Sequence, residues 1–289
     1  MKKILLTGGT GFVGKNILPI LQKRYEIVAP SRQQLNLKND YDVSEYVEKG
    51  KFDVIIHSAN PNPVKSAQYD GMERMLEDSM RIFMNFYHVR HLYDKFIYLG
   101  SGAEFDKSKE IVDIKETYIG RSVPLDVYGF SKFIMNELAR NSDNIYNARI
   151  FACFGPYDHE SKFITHVIRC CLKNQNITIR QNCYFDYLHV YDLAKVLIYL
   201  IENDMAYHDY NIASGNKISL LDIAKEVQRQ MQVDNKIIVE QKGWNKEYTA
   251  NIERLNDESG IRKEFISLEE GIKMQIAFER GAENEKKSG

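Results

Sequence analysis

A glycine-rich segment near the start of the chain, Thr7–Gly14, constrains the fold more than any other feature. It follows the apolar run Ile4–Leu6, which is typical of a buried strand, and it opens a helical pattern of apolar residues. Glycine at Gly8, Gly11 and Gly14 allows a sharp turn, close approach of the backbone to a diphosphate, and tight packing of helix on strand. The helix N-terminus adds free N–H groups and the positive end of its dipole. The segment therefore predicts a strand, turn and helix that bind a dinucleotide.

The composition limits the classes of partner. A chain of 289 residues is long enough for a doubly wound sheet and a smaller second lobe. A net charge of -1 gives no reason to expect a nucleic acid or a membrane as a partner. The four cysteines lack metal-ligand spacing, so we expect free thiols and no metal site. The first apolar run is too short for a signal peptide, which favours the cytoplasm.

Short apolar runs alternate with helical patterns in the first half of the chain. This alternation indicates an α/β fold, a Rossmann-type doubly wound parallel sheet with a smaller C-terminal substrate-binding lobe. The predicted strands are Lys3–Thr7, Glu26–Ala29, Val54–Ser58, Phe96–Gly100, Ala148–Phe154 and Tyr210–Ala213, and the predicted helices are Gly14–Arg24, Val43–Glu48, Met72–Tyr93, Gly129–Arg140 and Val190–Ile201. We expect the dinucleotide-binding domain over 1–156 plus about 187–213, the substrate lobe over about 157–186 plus 214–279, and a disordered polar tail over 280–289.

The residues after the second predicted strand bear on the choice of cofactor. Enzymes that prefer NAD usually have an acidic residue there, which binds the ribose 2′-hydroxyl. Here Pro30 is followed by Ser31 and Arg32, whose hydroxyl and guanidinium suit a 2′-phosphate through charge-assisted hydrogen bonds. A solvated surface arginine is the alternative interpretation of Arg32. We predict NADP(H), with NAD(H) as the second choice.

A Tyr-x-x-x-Lys pattern, Tyr128 to Lys132, lies in the fourth predicted helix. Residues four apart share a helix face, so we expect the ammonium of Lys132 to lie near the phenol of Tyr128 and to lower its pKa. Such a tyrosine exchanges a proton with a carbonyl or hydroxyl oxygen while hydride moves at carbon. Ser101 follows the strand Phe96–Gly100, at the carboxyl edge of the sheet where site residues usually lie.

Together these motifs resemble the extended short-chain dehydrogenase/reductase family, also called the NAD-dependent epimerase/dehydratase family. The resemblance runs from Thr7 to about Phe278 and includes Ile56–Ala59, Arg149–Pro156, Phe185–Asp192 and Tyr210–Gly215. It implies that Ser101, Tyr128 and Lys132 are catalytic and that the substrate is a nucleotide-linked sugar. It also implies a homodimer built on the helices Met72–Tyr93 and Gly129–Arg140.

The motifs and the resemblance together identify candidate binding residues. The expected cofactor-binding residues are Gly8, Thr10, Gly11, Phe12, Val13, Gly14, Ser31, Arg32, Asn36, Leu37, Ser58, Ala59, Asn60, Tyr128, Lys132 and Phe151. The expected substrate-binding residues are Ser101, Gly102, Ala103, His166 and Arg180. Within the family, the segment from Ser31 to Leu37 resembles the NADPH-dependent nucleotide-sugar 4-ketoreductases, such as GDP-L-fucose synthase.

Departures from the family's patterns narrow the predicted activity. Dehydratase members carry an Asp-Glu pair after the catalytic hydroxyl residue, whereas Gly102 and Ala103 stand here, so dehydration is not expected. GDP-L-fucose synthase also epimerises, with a cysteine at the Gly102 position and a histidine that matches His166. Because that cysteine is replaced, we expect reduction without epimerisation.

Two further departures concern the substrate diphosphate. Ala152 and Phe185 stand where many relatives carry asparagine and arginine that contact it. Arg180, Arg169 or Lys173 would then supply the charge, or the substrate lacks a nucleotide.

The leading hypothesis is NADPH-dependent reduction of the 4-keto group of a nucleotide-linked 4-keto-6-deoxy sugar. Tyr128 would protonate the carbonyl oxygen, Ser101 would hold that oxygen, and Lys132 would bind the nicotinamide ribose. The first alternative is a nucleotide-sugar C4 epimerase with retained NAD. The second is a non-catalytic dinucleotide-binding scaffold or sensor of the same fold.

Overall fold

A computed structural model describes residues 1–61 and 72–288 of the chain. Residues 62–71 and Gly289, the last residue of the predicted tail, lie outside the described residues. The strands are β1 (Lys3–Thr7), β2 (Glu26–Val28), β3 (Val54–His57), β4 (Lys95–Ser101), β5 (Ile111–Ile114), β6 (Ile145–Ile150), β7 (Ala152–Phe154), β8 (Ile177–Asn182), β9 (Tyr184–His189), β10 (Asp209–Ile212), β11 (Lys217–Ser219), β12 (Ile237–Trp244) and β13 (Tyr248–Ala250). The helices are α1 (Phe12–Leu21), α2 (Asp40–Gly50), α3 (Met72–His88), α4 (Val127–Arg140), α5 (Phe163–Leu172), α6 (Val190–Glu202), α7 (Leu220–Met231), α8 (Glu253–Ser259) and α9 (Leu268–Ser288), with short 3-10 helices that include Gly102–Glu104.

The largest sheet has the strand order β10-β6-β4-β3-β1-β2, and the pairings from β6 to β2 are parallel. Strands β3 and β4 are buried along their whole length, which explains why their sequences are continuous apolar runs. This arrangement confirms the predicted α/β class with a doubly wound parallel sheet. Strands β2 and β3 lie on opposite sides of β1, so the strand order reverses between β1 and β3. Folds of this kind bind ligands in the crevice at the carboxyl ends of those two strands.

Helices α2, α3 and α4 pack on this sheet through an apolar core. Aromatic rings dominate it: Phe83 and Phe86 of α3 lie 5.7 and 5.5 Å, between ring centroids, from Phe96 of β4. Full burial of one such ring contributes about 1.5–3 kcal/mol, so these contacts hold α3 firmly on the strand that ends at Ser101.

The chain divides into two compact units. The first comprises Met1–Ser108, Lys115–Ile150 and Ala194–Asn211, and the second comprises Lys109–Ile114, Phe151–Leu193 and the chain from Ile212 onward. The second unit contains a sheet of order β11-β9-β13-β5, with β7 on β9, and a parallel pair of β8 and β12. Its apolar core lies among α5, α7 and α9.

A predicted strand, a predicted domain boundary and the predicted tail differ from the structure. The predicted strand Ala148–Phe154 is two strands: the chain bends at Phe151, whose N–H donates to the carbonyl of Ile212, and β7 then pairs with β9. The unit boundary accordingly falls at Phe151 instead of after residue 156. The predicted disordered tail is helical, because α9 continues to Ser288 through alanine, glutamate and lysine, which favour helix.

In the described part of the chain, no helix has both the length and the apolar character needed to cross a bilayer.

Candidate active site

The turn between β1 and α1 needs glycine at two positions. Gly8 has φ 73°, in the left-handed region, and a Cβ there would lie 2.7 Å from the backbone nitrogen of Ala59. At Gly14 a Cβ would lie 2.2 Å from the carbonyl oxygen of Gly8, so only glycine lets the helix begin directly on the turn. The N-cap residue Gly11 provides no side-chain hydrogen bond to the first helical turn. The N–H groups of that turn are therefore available to an anion.

The end of β3 is joined to this turn by Thr7. The hydroxyl of Thr7 accepts a hydrogen bond from Ala59 N–H at 3.2 Å and lies 2.8 Å from Nδ1 of His57. Burial lowers the pKa of His57 to about 3, so the imidazole is neutral and structural. The structure thus brings the predicted cofactor-binding segment Ser58–Asn60 to the glycine turn.

The segment after β2 forms an exposed turn next to the same edge. Ser31 and Arg32 are exposed, and the Ser31 N–H donates to the side-chain oxygen of Gln34 at 2.8 Å. Arg32 makes no ion pair with any residue that the structure describes. Leu37 accepts a hydrogen bond through its carbonyl from the Asn85 side chain at 2.8 Å, which fixes the end of the turn on α3. Among the described residues, none therefore holds the Arg32 guanidinium away from a ligand.

Ser101 ends β4 and begins the 3-10 helix Gly102–Glu104. Its hydroxyl oxygen accepts the Ala103 N–H at 3.2 Å, while the Glu104 carboxylate accepts the Ser101 N–H at 3.0 Å. This reciprocal capping box fixes both the backbone and the side chain of the serine. Gly102 and Ala103 are buried, and neither carries a proton-transfer group.

Helix α4 brings Tyr128 to the serine. Its N-cap residue Asp126 accepts the Gly129 N–H at 2.9 Å. A Cβ on Gly129 would lie 2.4 Å from the carbonyl oxygen of Ala103, so glycine permits the helix to pack on the 3-10 helix. The Ser101 side chain interacts with the phenol of Tyr128 and lowers its pKa, so the two hydroxyl groups are neighbours. Two of the residues expected to be catalytic therefore lie next to each other.

The electrostatics of the pair differ from the sequence prediction. The pKa of Tyr128 is raised, first by desolvation and then by the Glu104 and Asp126 carboxylates, while the bond with Ser101 lowers it. Lys132 contributes no lowering, because its Nζ donates to the Leu99 carbonyl at 2.8 Å. Burial lowers the pKa of Lys132 to about 8. Tyr128 is thus protonated at neutral pH, which suits a proton donor.

Three predicted site residues belong to the second unit. Phe151 is buried, and its ring lies 5.1 Å from that of Tyr248. His166 is exposed on α5, with Nε2 at 3.5 Å from the Cys170 sulfur, and Arg180 is exposed on β8.

The candidate cations for a diphosphate are not equivalent. Arg169 already pairs with Glu160 and with the buried Glu279, each at 2.8 Å, so it is committed within the fold. Arg180 and Lys173 are exposed. Phe185, at the position where relatives carry arginine, lies 5.7 Å from the Tyr248 ring, within an aromatic group.

The sequence motifs did not identify the buried ion pair of Glu104 and Arg149 beneath the site. Glu104 and Arg149 are fully buried and form an ion pair at 2.6 Å. The signal was present in the sequence, because Ser101 followed three residues later by glutamate is the spacing of a capping box.

The geometry of the first unit meets the requirements of a dinucleotide-dependent site with acid–base catalysis. A glycine turn and a helix N-terminus lie at the crevice, and Ser101, at the end of the nearby strand β4, neighbours Tyr128 of α4. Residues 4–213 match the sequence model of the NAD dependent epimerase/dehydratase family. The chain belongs to this family. Membership confirms the resemblance drawn from the motifs, and with it the prediction of an NAD(P)-dependent enzyme of oxidoreductase type.

Individual relatives cover nearly the whole chain at low identity. The ADP-L-glycero-D-manno-heptose-6-epimerase of Pseudomonas paraeruginosa is 23% identical over 93% of this chain and 96% of the relative. A GDP-L-fucose synthetase from Naegleria fowleri bound to NADP superimposes with a TM-score of 0.85 at 17% identity, covering 96% of this chain and 92% of that one. A GDP-mannoheptose C4 reductase from Campylobacter jejuni with NADP bound gives 0.77 at 18% identity, covering 96% and 98%. The structural likenesses establish a shared fold.

Proposed function

We propose that the protein uses NADPH to reduce the 4-keto group of a nucleotide-linked 4-keto-6-deoxy sugar. The proximity of the Tyr128 phenol to the Ser101 side chain is the observation that carries this proposal. It joins a proton donor to a second hydroxyl at the carboxyl end of β4, where one carbonyl oxygen can contact both groups. Gly102 and Ala103 offer no acid or base for dehydration, so the remaining chemistry is hydride transfer with protonation.

The residues at the crevice fit a dinucleotide. Gly8 and Gly14 let the turn pack directly against Ala59 and the start of α1, and the N-cap residue Gly11 leaves the N–H groups of the first helical turn available to a diphosphate. The exposed guanidinium of Arg32 supports NADP(H) over NAD(H), since it can pair with a 2′-phosphate. Two proteins of similar fold have been solved with NADP bound, which agrees with this choice. Bound NADPH would supply the hydride.

Three side chains of the protein would orient the substrate, donate the proton and bind the cofactor. Ser101 would orient the substrate carbonyl oxygen, and Tyr128 would donate its phenolic proton to that oxygen. The raised pKa of Tyr128 keeps this proton in place until the oxygen becomes basic. Lys132, with Nζ on the Leu99 carbonyl, would contact the nicotinamide ribose from the next helical turn.

The test is loss of NADPH absorbance with a panel of nucleotide-linked 4-keto-6-deoxy sugars, with NADH for comparison. We expect turnover with NADPH that falls about 10²- to 10⁴-fold in Tyr128→Phe, because the proton donor is lost. Tyr118→Phe is the matched control, since Tyr118 is 43% exposed and its ring stacks on Arg121. Absence of turnover on every sugar, with NADPH bound, would overturn the proposal.

A nucleotide-sugar C4 epimerase with retained NAD is the second candidate, and the similarity to a heptose 6-epimerase supports epimerase chemistry in general. An epimerase oxidises and then reduces one substrate and keeps its cofactor. Analysis of the nucleotide released from the purified protein separates the two candidates: retained NAD supports the C4 epimerase, whereas a requirement for added NADPH supports the reductase.

A further inference from the structure

A buried carboxylate lies directly behind the candidate catalytic serine. Glu104 is fully buried, and its two oxygens accept from the Ser101 N–H at 3.0 Å, from the Asn147 side chain at 2.8 Å and from Arg149 Nε at 2.6 Å. Glu104 therefore binds the backbone of Ser101 through one carboxylate oxygen and the charged side chain of Arg149 through the other. This arrangement is costly unless it is fully bonded, because an isolated buried carboxylate is strongly destabilising.

Arg149 extends the group to the catalytic helix. Its Nη2 donates to the Asn136 side-chain oxygen and to Asp209, both at 2.9 Å, and its Nη1 donates to Asn211 at 3.0 Å. Asn136 lies on α4, one turn after Lys132. The guanidinium fork thus connects the end of β4 to the helix that carries Tyr128 and Lys132.

Gly100, the residue before the serine, leaves room for the side chains of Glu104 and Asn147. A Cβ on Gly100 would lie 1.9 Å from the side-chain oxygen of Asn147 and 2.5 Å from the nearer oxygen of Glu104. Glycine before the serine is therefore needed to seat the two side chains.

We propose that Glu104 is a positioning residue that holds Ser101 in register with Tyr128 through its buried ion pair with Arg149. This role rests on the proposed function, since it concerns the same hydroxyl pair. Glu104 does not reach the substrate, because its oxygens are occupied by Ser101, Asn147 and Arg149.

The charge of Glu104 also acts on the site. It raises the pKa of both Tyr128 and Lys132. Positioning and charge together keep Tyr128 protonated and aimed at the oxygen that Ser101 holds, which favours reduction over the reverse oxidation.

The test compares Glu104→Gln with Glu279→Gln. Glutamine keeps an acceptor for the Ser101 N–H but removes the charge. Glu279 is a matched control, because it is also a buried carboxyl paired with an arginine, at 2.8 Å from Arg169, but it belongs to the second unit. We expect Glu104→Gln to lower turnover about 10- to 100-fold while the NADPH dissociation constant stays within about twofold, and Glu279→Gln to change neither.

A second readout does not depend on a substrate. Tyrosine labelled with ¹³C at the ring carbon that bears oxygen gives a signal for Tyr128, assigned from its absence in Tyr128→Phe. Removal of the Glu104 charge should shift this titration to lower pH, because the carboxylate raises the pKa of Tyr128. A wild type without turnover on any sugar would refute the proposed function, and this titration would still decide the role of Glu104. An unchanged titration in Glu104→Gln, or an equal loss of turnover in Glu279→Gln, would overturn the positioning role.

Asn136→Ala tests the connection to α4 without a change of charge. It also provides a test of the positioning role if Glu104→Gln does not fold. It removes the oxygen on α4 that accepts from Arg149 Nη2 and from the Asn147 side chain, and it leaves the partners of the ion pair and of the serine cap in place. We expect a loss of turnover with unchanged NADPH binding. Wild-type turnover in Asn136→Ala would contradict the proposed register between Ser101 and Tyr128.

Discussion

Lys132 shows how burial tunes one residue of the site. Its side chain is 3% exposed, and its Nζ has the Leu99 carbonyl at 2.8 Å as a partner and lies 5.9 Å from the centre of the Tyr98 ring. A carbonyl and a ring face replace the water that an ammonium normally binds. The charge therefore costs free energy in the folded chain, and the pKa falls to about 8.

This lowered pKa predicts a pH dependence of stability. An unfolded lysine titrates near 10.4 and the folded one near 8, so between these values the unfolded chain binds more protons and the free energy of unfolding rises with pH. We expect a gain of about 3 kcal/mol from pH 8 to 10.5 relative to Lys132→Met, which lacks the group. Urea unfolding of both proteins at several pH values measures it. Parallel curves for the two proteins would contradict the prediction.

At the scale of the element, the strand, turn and helix at the N-terminus combine close packing with anion binding. Gly14→Ala places a Cβ 2.2 Å from the Gly8 carbonyl, so α1 must move away from the turn. We expect NADPH affinity to fall at least about 10-fold and the free energy of unfolding to fall by about 1–3 kcal/mol. NADPH fluorescence titration and urea unfolding measure both.

Gly281→Ala is the matched control for that substitution. Gly281 also lies in a helix, α9, with negative φ and open space where the Cβ would stand. Alanine there should stabilise the protein by about 0.5–1 kcal/mol, because glycine is the poorer helix former, and should leave NADPH binding unchanged. Equal losses of affinity in the two variants would show that the turn is not where NADPH binds.

The elements that the sequence predicts well are those with a strong local signal. Strands β1 and β3 are buried apolar runs, and α4 carries a regular apolar stripe, so both types emerge from periodicity alone. Strand β5, with two exposed residues among four, has no such pattern and depends on β13, far along the chain. The bend at Phe151 likewise depends on a partner, Ile212, that local sequence does not reveal.

The residues of the candidate site also fall into those with a local sequence signal and those that depend on distant contacts. The roles that we expect for Gly8, Ser101 and Tyr128 follow from short motifs, each of which has a physical reason. The bond of Lys132 to Leu99, and the pairing of Glu104 with Arg149, are contacts between distant residues, which set charge and desolvation. Sequence spacing predicted that Lys132 lowers the pKa of Tyr128, and this was wrong because the ammonium is directed elsewhere.

At the scale of the whole molecule, helices α3 and α4 of the first unit leave apolar surface uncovered. Leu76, Met80, Met84 and Tyr87 follow one another at helical spacing on α3 and are each only partly buried. Phe133 and Ile134 on the neighbouring α4 are also partly buried. We propose that two copies of the chain bury these stripes against each other as a two-fold symmetric homodimer, since such an interface pairs one patch with itself.

Substitution within the α3 stripe tests this homodimer. We expect the wild type to sediment as a dimer at micromolar concentration and Met84→Glu as a monomer, because a symmetric interface would bury two copies of the new charge. Tyr41→Glu is the matched control: Tyr41 is 69% exposed on α2, so its replacement should leave the dimer intact. NADPH titration of Met84→Glu checks that the glycine turn is unaffected, since Met84 lies on α3 and not in that turn. A wild type that sediments as a monomer, or a Met84→Glu variant that remains dimeric, would show that another surface or no surface of this chain mediates self-association.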